Sequence, residues 1–365
     1  MADNNLRYAQ VAKIKVFGIG GGGCNAVNRM VEDGVQGVDF YVCNTDLQVL
    51  NTSPVKNKII LGKETTKGLG AGANPEVGYQ AAIESEDEIR EAMKDTDMVF
   101  IAAGLGGGTG TGAAPVFASI AKELGCLTIG IVTKPFSFEG RKRCQQAENG
   151  LEKLKEFVDS LIIVSNNKVL EVIGSIPFVE AFREADNVLR QGVQTITDLI
   201  AVPSLINLDF ADVKTTMAGQ GTALIGIGMA SGEKRAEEAA KKAIQSPLLE
   251  ADIRGAKNAI INVTGGSNVT VYDAFQAVDC IREAAKEGGD RDIDIVFGIA
   301  INEQLGDNVI VTVIATGFDI PEVKAKEFKP STSYQQAEEN ETFTSQQSIE
   351  DVEDEELPNF LRNRF

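Results

Sequence analysis

Short apolar runs alternate with helix-length amphipathic stretches through the first two thirds of the chain. The runs are "AKIKVFGIG" (12–20), "VDFYVCN" (38–44), "NKIIL" (57–61), "MVFIAAG" (98–104), "CLTIGIVT" (126–133) and "SLIIVSN" (160–166). Helical patterns fill the intervals, from Asn25 onward, over 75–94 and over 113–124. Strands this short and this apolar, separated by helices, predict a mostly parallel sheet covered on both faces. Ligands of such sheets sit beyond the carboxyl ends of the strands.

A long helical pattern follows over 177–201. Phe178, Phe182, Leu189, Val193, Ile196 and Ile200 recur at helical spacing and form one apolar stripe, with Pro177 suited to the first turn. After "AVPSLINLDF" the pattern restarts as strand, helix, strand, helix and two strands in direct succession, "DIDIVFGIAI" and "NVIVTVIATG". Two adjacent strands without a helix between them predict a mixed sheet. The fold class expected is therefore α/β. A parallel-sheet, Rossmann-like nucleotide-binding domain (11–176) is joined by a central helix (177–201) to a smaller α+β domain (202–317). Residues 1–10 read as an N-terminal extension, 318–353 as a disordered acidic linker and 354–365 as a separate peptide.

Two glycine-rich stretches fall at strand ends. "GIGGGGCN" (18–25) contains GxGxxG at Gly18, Gly20 and Gly23, and Asp46 lies at a distance suited to a ribose. Alone, this fits a dinucleotide-binding oxidoreductase using NAD or FAD, or a tight turn that binds nothing. "GLGGGTGTG" (104–112) changes the picture, because a second cradle after a central strand has no purpose in that reading. Its backbone N–H groups and the dipole of the helix after it suit an anion with several oxygens. Thr109 and Thr111 offer hydroxyls, and Pro115 sits near the expected helix start. No lysine completes GxxxxGK[ST], so this is not a Walker-type loop.

Composition narrows the chemistry. The 365 residues contain no histidine, which removes the commonest general base and the usual zinc sites. Five scattered cysteines without CxxC spacing read as free thiols of a reducing cytosol. The formal charge of −18 argues against nonspecific nucleic-acid binding. About −7 of it lies in 331–365, a stretch too polar and acidic to fold alone. No apolar run reaches membrane-span length and no signal-peptide pattern opens the chain.

"GGGTGTG" (106–112) resembles the phosphate loop of the tubulin/FtsZ family. The resemblance extends over "GGGGCNAVNRM", "NTD" (44–46), "GLGAGANP" (68–75), "TKPFSFEG" (133–140) and "NLDFADV" (207–213). It implies a GTP-dependent, self-polymerising cytoskeletal GTPase of the bacterial division ring, using GTP/GDP and Mg2+ carried mainly on the phosphates, with K+ as a candidate companion. No protein ligand to a metal is implied with certainty.

The resemblance also distributes roles. Gly20, Gly21 and Gly22 meet the α- and β-phosphates, and Asn25, at the first loop's helix start, and Asn44 also belong to the nucleotide site. Gly104, Gly106, Gly107, Gly108, Thr109 and Gly110 hold the β- and γ-phosphates, and Ala71, Gly72 and Ala73 sense the γ-phosphate. Glu139 and Arg143 contact the ribose, Thr133 and Pro135 belong to the same nucleotide site, and Asn166, Phe182 and Asp186 contact guanine. Read without the family, Glu139 and Arg143 are an i,i+4 ion pair, Phe182 is core, and Asp209 and Asp212 are helix caps.

Under the resemblance, Asn207, Asp209 and Asp212 complete the site of the next subunit in a head-to-tail homopolymer. "DEELPNFLRNRF" (354–365) carries Leu357, Phe360 and Leu361 at groove-binding helical spacing. It resembles the family's tail that docks membrane-anchoring and regulatory division proteins. Location is expected to be cytoplasmic, at the division site on the inner face of the membrane. A scaffold that binds nucleotide without hydrolysing it is the remaining alternative.

Overall fold

The computed structural model describes residues 12–173, 177–201, 209–245, 253–286 and 293–318. In chain order the elements begin β1 (Ile14–Ile19), α1 (Gly20–Glu32), β2 (Asp39–Asn44), α2 (Leu47–Thr52), β3 (Asn57–Ile60) and α3 (Lys63–Thr66). They continue with α4 (Pro75–Glu84), α5 (Glu86–Met93), β4 (Met98–Gly104), α6 (Thr109–Glu123), β5 (Leu127–Lys134), α7 (Arg141–Lys155), β6 (Ser160–Ser165) and α8 (Asn166–Ile173). Next come α9 (Phe178–Ala201), α10 (Phe210–Met217), β7 (Gly221–Ala230), α11 (Arg235–Ile244), β8 (Asn258–Gly265), α12 (Val271–Ala285), β9 (Asp294–Ile301) and β10 (Val309–Thr316).

The strands run in the order β3-β2-β1-β4-β5-β6-β7-β10-β8-β9. From β3 to β7 every pairing is parallel. Alternate residues of the central strands feed two cores, so both faces are apolar. Val16, Phe100 and Ile131 pack with α1 and α9 on one side, while Phe17, Ile101 and Val132 pack with α4 and α6 on the other. The α9 stripe does what its spacing predicts: Leu189, Val193 and Ile196 are fully buried, each worth roughly 1.5–3 kcal/mol of transfer free energy.

The sheet beyond β7 is mixed, as two successive strands suggested, but those strands do not pair with each other. β10 crosses over to lie antiparallel between β7 and β8, and β9 takes the edge parallel to β8. Burial explains the order. β10 is buried along nearly its whole length, whereas β9 is half exposed and suits an edge. The parallel part is joined to the mixed part through a short ladder, Ser160–Ile162 of β6 against Gly221–Ala223 of β7.

Three helix boundaries depart from the hydropathy pattern. α1 begins at Gly20, not at Asn25, so the four glycines are its first turn. Likewise α6 begins at Thr109 rather than Ala113, which places Pro115 inside the helix instead of at its start. The stretch 75–94 is two helices, divided at Ser85.

Candidate nucleotide site

Both glycine-rich stretches are strand-to-helix junctions at the carboxyl edge of the parallel sheet, on the neighbouring strands β1 and β4. Close backbone approach explains the glycines. A Cβ on Gly20 would stand 2.7 Å from the Gly110 nitrogen, and one on Gly23 would stand 2.2 Å from the Ala102 carbonyl oxygen. The absence of side chains therefore lets the N-termini of α1 and α6 lie against each other. At Gly21 and Gly107, by contrast, a Cβ would meet nothing within 4 Å. These two positions face open space.

Neither N-terminus is capped by a side chain, and neither carries an acidic residue in its first turn. Other helices do carry a side-chain cap, Asp46 on α2, Asn74 on α4 and Thr270 on α12, while α3, α5, α7 and α11 lack one as well. The first N–H groups of a helix have no intrahelical acceptor. Two adjacent N-termini contribute about +0.5 charge each. Together they form an anion cradle of backbone N–H groups, and a phosphate chain fits it.

The surrounding side chains are held in place by one another. The hydroxyls of Thr45 and Thr109 are 2.7 Å apart and both residues are buried. Thr111, expected to offer a hydroxyl to an anion, instead accepts a hydrogen bond from the Gly106 N–H at 2.8 Å. The Gly106 amide thus braces the turn, and the outward amides belong to the residues after it. Asn44 is buried and its Oδ1 accepts from the Asp46 N–H. Asp46 itself caps α2 by accepting from Gln48 N–H at 2.8 Å, which gives its carboxylate a structural task in place of the ribose contact of a dinucleotide site.

The loop before α4 reaches the same cradle. Ala71 is buried, Gly72 and Ala73 are exposed with positive φ, and a Cβ on Gly108 would meet Ala71 at 2.8 Å. On the other flank, Gly104 pairs with Thr133 across β4 and β5. A Cβ on Gly106 would touch both Arg143 and Pro135. Glu139 accepts from the Phe136 N–H and pairs with Arg143 at 3.1 Å, so the ion-pair reading of these two residues is realised. Gly22 and Asn25 are exposed on the first two turns of α1.

A second group lies where α8 and α9 pack together. Asn166 opens α8 and is buried, and its Oδ1 has no hydrogen-bond partner among the described residues. An orphaned buried acceptor is costly and calls for a donor from outside the protein. Asp186, on α9, is buried and its carboxyl is pushed up to about 6 by burial, against the pull of Arg29 at 3.4 Å. Phe182, one turn earlier, meets Phe136 edge-on at 5.0 Å. Two acceptors and an aromatic face suit the N1–H and exocyclic amine of guanine. The partnership of Arg29 with Asp186 was not legible in the sequence, since 157 residues of chain separate them in one dimension and one helix contact joins them in three.

Asp209 and Asp212 stand apart from all of this. They form a reciprocal cap at the start of α10: Asp212 N–H donates to Asp209 at 2.9 Å and Asp209 N–H to Asp212 at 3.2 Å. Both are exposed. α10 leads into the beginning of β7, and Ser160 at the beginning of β6 donates to the Met217 carbonyl. That puts the Met217 end of α10, the helix that Asp209 and Asp212 open, at the amino edge of the parallel sheet, whereas the cradle is on the carboxyl edge. A six-residue strand puts about 17 Å between the two edges. Asn207 lies outside the described residues.

All five cysteines are free thiols, and burial pushes Cys24 up to about 12 and holds Cys43 well above its ordinary value.

This architecture, a parallel sheet with a double glycine cradle followed by a mixed-sheet unit, is that of the tubulin-type GTPases. Residues 13–174 match the GTPase domain of the Tubulin/FtsZ family and residues 221–319 the C-terminal domain of the FtsZ family. An empty FtsZ dimer from M. jannaschii is similar at 44% identity and TM-score 0.79, covering 86% of this chain and 89% of that one. A mutant of the same FtsZ matches at 44% identity and TM-score 0.79, with 84% and 91% covered. CetZ2 from Haloferax volcanii, described as a GTPγS-bound protofilament, shares the fold at 20% identity and TM-score 0.70, with 83% and 92% covered. The chain belongs to the FtsZ family of GTPases.

The carboxyl of Asp186 yields a pH prediction. If guanine donors meet this carboxyl, they favour its ionised form, and the free protein would have to lose a proton to bind. GDP affinity is expected to hold above about pH 7 and to fall toward tenfold per unit below pH 6. Titration with a fluorescent GDP analogue between pH 5 and 8 reads this, and Asp186→Asn should flatten the slope.

Proposed function

We propose that this protein is a GTP-dependent, self-polymerising cytoskeletal GTPase of the bacterial division ring. One subunit holds GTP in the cradle of α1 and α6, and the next supplies Asp209 and Asp212 at a longitudinal contact. The observation that carries this reading is the separation of the two acidic groups from the cradle by the height of the sheet. Carboxylates so placed cannot reach a phosphate in their own subunit, and a second copy stacked edge to edge brings them there.

In this mechanism the helix N-termini bind the phosphates and hold the γ-phosphate in line. The incoming carboxylates orient the attacking water and take up its proton, a contribution that general bases make at roughly 10²–10⁴-fold. Bound Mg2+ would offset charge on the β- and γ-phosphate oxygens, held by the nucleotide itself. The two contacting surfaces differ, so the association does not close on itself and produces filaments. Loss of the γ-phosphate then weakens the joint, and hydrolysis sets filament lifetime. Residues 354–365, outside the described residues, would dock membrane-anchoring and regulatory proteins, which places the polymer at the inner face of the membrane.

Light scattering on adding GTP and Mg2+, with phosphate release followed in parallel, tests the reading. Scattering should rise and then decay as GTP is consumed. Phosphate release proportional to protein concentration without assembly would mean a site complete within one subunit, and would sink it.

The rim of the cradle gives a more local prediction. Leu69 is 85% exposed on the loop that runs toward Ala71, an apolar side chain awaiting cover. Leu69→Glu should raise the protein concentration needed for assembly at least about tenfold while leaving GDP affinity within twofold. Sedimentation with and without GTP measures the first, and fluorescent-nucleotide titration the second.

A further inference from the structure

We propose that Arg141 and Lys142 are an electrostatic guide for a second copy of this chain, drawing the acidic amino edge of its sheet onto the cradle. This rests on the head-to-tail reading above and adds to it the residues that steer the encounter. The starting observation is a violation of ordinary helix chemistry. α7 opens with three cations, Arg141, Lys142 and Arg143, at the end where the helix dipole disfavours positive charge. No acidic residue occupies that first turn and no side chain caps it.

Arg143 has an internal reason to be there, its pair with Glu139. Arg141 and Lys142 have none: both are exposed and neither makes an ion pair among the described residues. Their position is nonetheless fixed. The first turn of α7 packs on the Gly106 turn, and one turn on, Gln146 donates to the Ala73 carbonyl. The two cations are therefore mounted on a wall of the cradle and face solvent.

The opposite edge of the sheet carries the complementary sign. Asp209 and Asp212 are exposed at the start of α10, and Asp95 and Asp97 are exposed at the start of β4. Asp159 lies there as well, accepting from Thr128 and Gly219 amides. Lys13, Lys94 and Lys214 offset them in part. A protein of net charge −18 repels its own copies at long range. Association then depends on local complementarity, which acts mainly on the rate of encounter and fades with salt. Two unpaired cations beside the cradle and an acidic far edge meet that need.

The test uses the full chain carrying Arg141→Gln with Lys142→Gln, and Lys153→Gln on the same helix as a control. Elongation is followed by stopped-flow scattering at about 50 and 300 mM salt, a range over which the screening length falls from about 14 to about 6 Å. GDP affinity is measured below the assembly concentration. The expected result is elongation roughly tenfold slower at low salt, a gap under twofold at high salt, unchanged GDP affinity and a normal control. A parallel loss of GDP affinity would make these residues part of the phosphate site and overturn the proposal, and so would an unchanged low-salt rate or a deficit equal at both salts. Wild-type protein that never assembles with GTP would sink the head-to-tail reading itself, whereas a wild type that assembles beside an unaffected variant sinks this inference alone.

Discussion

Asp212→Asn is expected to lower GTP turnover about 100-fold or more while leaving nucleotide binding and filament formation intact. The asparagine retains an oxygen that can accept from the Asp209 N–H, so the α10 cap is largely preserved. Even complete loss of a cap costs only about 1 kcal/mol, and the melting temperature should move by a few degrees at most. What disappears is the negative charge that, in the proposed mechanism, orients and deprotonates water. Filaments of the variant should therefore outlast those of the wild type. Mixing supplies the sharper control. Asp212→Asn subunits keep a sound cradle, and a cradle-defective variant keeps a sound Asp212. Combined, they should recover measurable phosphate release, because two half-sites from different copies meet at one joint. A site complete within one subunit allows no such recovery.

The cradle-defective partner is Gly107→Val, and the comparison with Gly23→Ala separates binding from packing. Gly107 faces open space, so a branched side chain fits without strain and occupies the volume a phosphate would take. Nucleotide affinity should fall about 100-fold with the melting temperature unchanged. Gly23→Ala adds a single methyl, but its Cβ would lie 2.2 Å from the Ala102 carbonyl oxygen, a contact that only backbone movement can relieve. Overpacking of this kind costs about 1–3 kcal/mol, and the melting temperature should drop by roughly 5 °C. Calorimetry and fluorescent-nucleotide titration on both variants decide the matter. If the two behave alike, the division of glycines into those that pack and those that line the cradle is wrong.

Much of this could be read from the residues, and what could not has physical reasons. The strands were visible because parallel strands buried on both faces are continuous apolar runs, as in Met98–Ala103, every residue of which is buried. The starts of α1 and α6 were not, because glycine has no side chain to enter a hydropathy pattern. Helical turns built from glycine look like loop. The break at Ser85 was hidden for the opposite reason: apolar spacing continues through it, from Ala81 and Ala82 to Ile89 and Met93. Placing β10 between β7 and β8 needed long-range knowledge, since neighbours in sequence pair more often than not. In the site, the glycine cradle was legible as a motif, whereas the tasks of its side chains were not. Thr111 and Asp46 spend their oxygens on the protein's own amides, a choice only three-dimensional proximity reveals.

The ladder between β6 and β7 joins only three residue pairs, while the other strand pairings of the sheet run to between four and eight. A girder yields where its section is thinnest. Load passing from one part of this molecule to the other crosses that waist, where the continuous core of Ile131, Ile162, Ile225 and Ile314 carries what three backbone pairs cannot. The joint is thus held by side chains more than by the ladder, beside the strand edge where α10 ends.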